Sequence, residues 1–135
     1  MMTGMMKNLK TKKTKMNGEN KTLEECYDEQ VKFQKEVVKK YGYNVDVKNI
    51  PEDNIEVAKY HMLALLEEAG ELVKSDKRWK NYRNTYYDKQ NKLEELSDCI
   101  ITLFNVAMFS GISGKELAEA LETKMNENYN RIREA

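Results

Sequence analysis

Two short acidic runs hold the residues best suited to chemistry in this sequence. Glu67, Glu68 and Glu71 lie in EEAGE, and Glu94, Glu95 and Asp98 lie in EELSD. On a helix, Glu68 and Glu71 are i,i+3 neighbours with Cβ atoms about 5–6 Å apart, and Glu95 and Asp98 repeat that geometry. If the two helices pack side by side, Glu68, Glu71, Glu95 and Asp98 converge. Like charges that close repel, so a buried quartet requires a compensating cation. Hard carboxylate ligands suit Mg2+ or Mn2+, and Mg2+ usually keeps positions open for water and substrate phosphates.

An E-E-x-x-E run alone would read as a solvated helix face, because Glu is a good helix former. Both runs here are instead embedded in apolar sequence, LALLEEAGELV and LEELSDCIITLF. The positions four residues on from Glu68 and Glu71 are Leu72 and Ser75, and those from Glu95 and Asp98 are Cys99 and Thr102, where a solvated face would carry lysines. A carboxylate bundle of the di-iron type needs Glu-x-x-His from two helices. With His61 the single histidine, that reading fails for want of ligands. His61 itself reads as a helix-face residue making an ordinary hydrogen bond, with contact to a substrate as the alternative. Cys26 and Cys99 are 73 residues apart and form no CxxC motif, so they read as two reduced, half-buried thiols of a cytoplasmic protein.

The elements that must position these acids are helices. Thr22 and Glu25 form a T-x-x-E capping box, and Leu23, Tyr27, Val31, Val38 and Tyr41 follow at helical spacing until Gly42. Residues 43–54 read as a connector, with Pro51 either inside it or in the first turn of the next helix. From Ile55 to Ser75 the stripe Ile55, Ala58, Met62, Leu65, Leu66, Ala69 and Val73 is widened by Leu63 and Leu72. A helix this apolar is expected to be central, with more than one face covered. A third helix, Lys89 to Phe109, would turn Leu93, Leu96, Ile100, Leu103, Phe104 and Ala107 inward and stop at Gly111. Ser113 and Glu116 open a fourth, running towards Ile132. The fold class is all-α, four helices with short antiparallel connections.

At 135 residues the chain suffices for one compact domain. Its 23 basic and 23 acidic residues cancel, which argues against a protein that coats nucleic acid. No apolar run reaches the ~20 residues of a membrane span. Six lysines against Glu19 in residues 1–21 leave that segment basic, and Leu9 is its one large aliphatic side chain. It reads as a disordered tail preceding a domain over 22–135, a solvated extension or else an electrostatic arm for a polyanion.

Taken in order, EExxE at Glu67–Glu71, ExxD at Glu95–Asp98 and K-x3-N-x2-R at Lys124, Asn128 and Arg131 resemble the signature of the MazG-like all-α nucleoside triphosphate pyrophosphohydrolases. The match spans about Ile55 to Arg131. The resemblance implies a helical bundle completed by assembly into a homodimer or homotetramer. It implies Mg2+-dependent hydrolysis of a (deoxy)nucleoside triphosphate between the α and β phosphates, giving a monophosphate and pyrophosphate. Glu68, Glu71, Glu95 and Asp98 would hold the metal, and Glu67 would orient or deprotonate the attacking water. Lys124, Asn128 and Arg131 would meet phosphates or sugar. The connector KRWKNYRNTYY, with Lys77, Arg78, Lys80 and Arg83 around Trp79, offers a positive field and an indole that could cover a base; packing on a neighbouring helix is the other role open to Trp79. The rival function is a catalytically silent bundle that serves as an interaction module.

Overall fold

The computed structural model describes residues 20–80 and 87–135, so the basic tail up to residue 19 and the connector residues Tyr82, Arg83 and Tyr86 lie outside the described residues. Among the described residues four helices form: α1, Leu23–Tyr41; α2, Ile55–Ser75; α3, Lys89–Met108; and α4, Gly114–Glu134. A 3-10 turn, Lys77–Trp79, follows α2. No strand forms among the described residues, and none of their helices is long and apolar enough to cross a membrane.

Side chains set the helix starts. The Thr22 hydroxyl accepts from the Glu25 N–H at 3.1 Å while the Thr22 N–H donates to Glu25 Oε1 at 2.8 Å. Ser113 and Glu116 repeat this reciprocal box at the start of α4, at 3.1 and 2.9 Å. Two starts rest on caps with no box: Asn54 Oδ1 accepts from the Val57 N–H, and Asp88 Oδ1 from the Asn91 N–H. Because Asn54 is the cap, Pro51 stays in the connector and outside the first turn of α2. Gly42 ends α1 with φ 72°, and Gly111 turns the chain after α3 with φ 73°. A residue with a Cβ is strained at either angle.

α2 and α3 form the principal pair. Asp76 meets Lys92, and Glu68 meets Glu95 and Asp98, so the two helices run antiparallel. The core lies towards one end of that pair, where Val57 and Ala58 of α2 and Phe104, Ala107 and Met108 of α3 close on Tyr27 and Val31 of α1, with Phe109 beneath. Backbone bonds from Glu52 to Met108 and from Asn54 to Phe109 fasten the connector to the end of α3. α4 packs chiefly on α1, through its first turns.

Among the described residues, nothing covers the rest of the apolar surface. Met62, Leu63, Leu66 and Val73 of α2 are exposed, as are Leu93, Leu96, Ile100 and Leu103 of α3. The expected central α2 is therefore covered only over its first half, and of the α3 positions read as inward only Phe104 and Ala107 are buried. The reason is one of supply. α1 docks at the core end and α4 packs on α1 by its first turns, so among the described helices none covers the other half of the pair. Ile55 and Tyr41 are also exposed, whereas Gln34, polar and unexpected in the core, is buried and accepts from the Tyr43 hydroxyl at 2.6 Å. Both cysteines are free; Cys26 is exposed, and Cys99 is half-buried.

Candidate metal centre

The exposed half of the α2–α3 pair carries the acids. Glu68 faces Glu95 and Asp98 across the seam, and one carboxylate oxygen from each lies within 4.8 Å of the others. The helical repeat places Glu95 and Asp98 on one face, and the antiparallel register brings Glu68 opposite them. Burial, then the charges of Asp98 and Glu95, push the Glu68 carboxyl above its ordinary value. Burial and Asp98, followed by Glu71, do the same to Glu95. Among the described residues, the ion pairs leave all three without a basic partner. Three oxygen donors in mutual repulsion are of the kind that could hold a hard divalent cation.

Glu71 departs from the expected quartet. It lies 3.9 Å from Lys74 Nζ, an exposed i,i+3 pair, and is not among the three converging carboxylates. Its charge nonetheless acts on Glu68 and Glu95. Glu67 is exposed on the turn beside Glu68. Cys99, adjacent to Asp98 on α3, has its thiol pushed up by burial and then by the charge of Glu68.

The other expected contacts are scattered. His61 is in the core: its ring stacks on Phe109 at 5.3 Å and meets the edges of Tyr43 and Tyr60. Its buried Nε2 has no hydrogen-bond partner, and the residue is 7% exposed. Burial alone drives its pKa below the usual value. Lys124, Asn128 and Arg131 lie on the half of α4 where every residue from 119 to 135 is exposed, and Lys124 is paired with Glu127 at 3.9 Å. The chain alone packs none of the three against the carboxylates.

Trp79 is exposed, and its indole N–H points to the Val73 carbonyl at 3.5 Å. With Leu72, Val73, Asp76, Arg78, Lys92 and Leu96 it lines a shallow depression in the α2–α3 seam. Leu72 is one turn beyond Glu68 and Lys92 about one turn before Glu95, so the depression begins roughly 5–6 Å along the seam from the carboxylates. Lys77 is exposed on the same turn as Trp79. Sequence reasoning missed the ion pairs that organise this turn, between Asp76 and both Arg78 and Lys92. The aspartate at the end of α2, two residues before an arginine, was the available signal; the Lys92 partner, 16 residues away, had none.

A protein-family model described as dUTPase matches residues 15–135. The chain has no significant match among curated proteins or among solved structures.

Proposed function

Because the chain belongs to that dUTPase family, and so to the nucleoside triphosphate hydrolases, we propose that it cleaves a (deoxy)nucleoside triphosphate between the α and β phosphates, releasing a monophosphate and pyrophosphate. The observation that carries this reading is the trio Glu68, Glu95 and Asp98, with oxygens within 4.8 Å of one another on two antiparallel helices. These residues would hold Mg2+ or Mn2+, with Glu71 as a further donor. A bound divalent ion supplies charge neutralisation at the phosphoryl group and a more acidic water. Glu67, exposed beside the trio, serves to orient the attacking water or take its proton. Trp79 lines the depression one turn away and Lys77 is exposed on the same turn, so that a base could lie against the indole and a phosphate near the lysine. The family's description makes dUTP the first substrate to test.

A second copy of the chain belongs to this reading. The exposed stripes on α2, α3 and α4 call for a homodimer or homotetramer, and such an assembly is the means by which Lys124, Asn128 and Arg131 could reach a triphosphate.

The test is pyrophosphate release from a panel of ribo- and deoxynucleoside triphosphates, with and without Mg2+ or Mn2+. Metal-dependent release, with the monophosphate as the other product, is the expected result. Absence of release from every triphosphate with either metal would leave the silent-bundle function standing. Orthophosphate and a diphosphate as products would move the cleaved bond and refute the α–β assignment.

A further inference from the structure

The seam beyond the carboxylates is closed by a small, well-connected charge cluster that the reaction as described does not use. Asp76, the residue that ends α2, is the centre. Its side chain is only 12% exposed. Oδ1 accepts from Arg78 Nε at 2.8 Å and Oδ2 from Arg78 Nη2 at 2.7 Å, the paired geometry in which arginine holds a carboxylate most firmly. Oδ2 also accepts from Lys92 Nζ, on the first turn of α3, at 2.9 Å, and Oδ1 caps the 3-10 turn by accepting from the Arg78 N–H. The Arg78 guanidinium lies over the Tyr87 ring, 3.5 Å from its centre, and Asp76 and Tyr87 are joined through their backbones by an isolated antiparallel bridge. One carboxylate thus ties the end of α2, the turn bearing Trp79, and the start of α3 to one another.

We propose that Asp76 is a positioning residue: held between Arg78 and Lys92, it fixes the Lys77–Trp79 turn against the α2–α3 seam, so that an incoming nucleoside triphosphate meets an indole already in place. This rests on the triphosphate-hydrolase reading above. Two physical reasons make the clasp matter. A three-residue 3-10 turn has too few hydrogen bonds of its own to hold a bulky exposed side chain in one place, and an immobilised aromatic ring costs a ligand less ordering entropy than a mobile one. The clasp also keeps Arg78 and Lys92 engaged with a carboxylate of their own, one turn short of Glu95, instead of with the metal-binding acids.

Asp76→Asn separates the charge from the cap, because an asparagine oxygen still accepts from the Arg78 N–H while the charge that pairs with both cations is lost. Trp79 is the only tryptophan, so its fluorescence reports this turn directly. In Asp76→Asn the acrylamide quenching constant of the already exposed Trp79 should rise about 1.3- to 1.5-fold, as the turn opens locally. KM for dUTP, or for the best triphosphate of the panel, should rise about fivefold or more with kcat within about twofold. Mn2+ affinity, measured by calorimetry on the full chain without nucleotide, should stay at the wild-type value. Lys92→Met, which leaves Asp76 and Arg78 paired, should move quenching and KM the same way to a smaller degree, and it decides the matter if Asp76→Asn does not fold. Unchanged quenching and KM overturn the proposal. A loss confined to kcat or to Mn2+ affinity also overturns it, by placing Asp76 in the metal centre. Should the wild type hydrolyse no triphosphate, the functional reading fails on its own, and Trp79 quenching alone then supports or refutes the clasp.

Discussion

Glu68 and Glu95 have carboxyls raised above 4.5 first by burial and then by the charge of Asp98. At these positions the folded chain binds protons more tightly than the unfolded chain does. Stability therefore falls as pH rises from about 4.5 through the raised values, and stays lower above them. A divalent cation bound only by the folded chain reverses that loss. Asp98→Asn removes one donor together with the charge that penalises both glutamates. Without metal at neutral pH the variant should melt no lower than the wild type. With excess Mg2+ the wild type should gain roughly 3–6 °C, a shift the variant loses. Hydrolysis by Asp98→Asn should fall by roughly 100-fold. A variant with wild-type turnover would refute the metal assignment.

On the scale of elements, the contact between α4 and α1 leaves no spare room where α4 begins. Gly114, the first residue of α4, is buried against α1: a Cβ there would lie 2.8 Å from Tyr27 Cδ1 and 3.2 Å from Asp28 Oδ1. Tyr27 cannot give way cheaply. Its ring is fully buried, packs edge-on to Phe104, and donates its hydroxyl to the Ile112 carbonyl. Gly114→Ala should therefore destabilise the chain by about 1–3 kcal/mol despite the better helix propensity of alanine. Urea denaturation followed by circular dichroism measures this. A neutral or stabilising result would mean that α4 can slide along α1, and that its start does not fix the direction of the exposed half.

On the scale of the molecule, much large apolar surface is left bare among the described residues. Leu63 and Leu66 of α2 are 68% and 70% exposed, and Leu121, Met125, Tyr129 and Ile132 form one bare stripe along α4. Contiguous apolar surface of this kind marks an interface. A second copy has free helical faces to offer in return. Sedimentation of the wild type at micromolar concentration should give a dimer or tetramer, and Ile132→Lys should weaken its association by about tenfold or more by placing a charge in the stripe. A wild type that sediments as a monomer at high concentration would refute the assembly.

What the sequence determined was everything set by a residue and its neighbours within one turn or so: the two capping boxes, the glycine stops, the four helices with the bounds of α2 as read, and the facing of Glu95 with Asp98 on α3. A helical repeat fixes where a side chain points around its own axis. It does not fix how one helix is rotated and shifted against another. Only the tertiary structure decided that Glu68 crosses to Glu95 and Asp98 while Glu71 lies beside Lys74, that His61 is stacked on Phe109, and that Asp76 joins Lys92 across 16 residues. Only it decided, too, which apolar stripes go bare, because a stripe records that a face is meant to be covered and carries no record of whether the cover comes from the same chain.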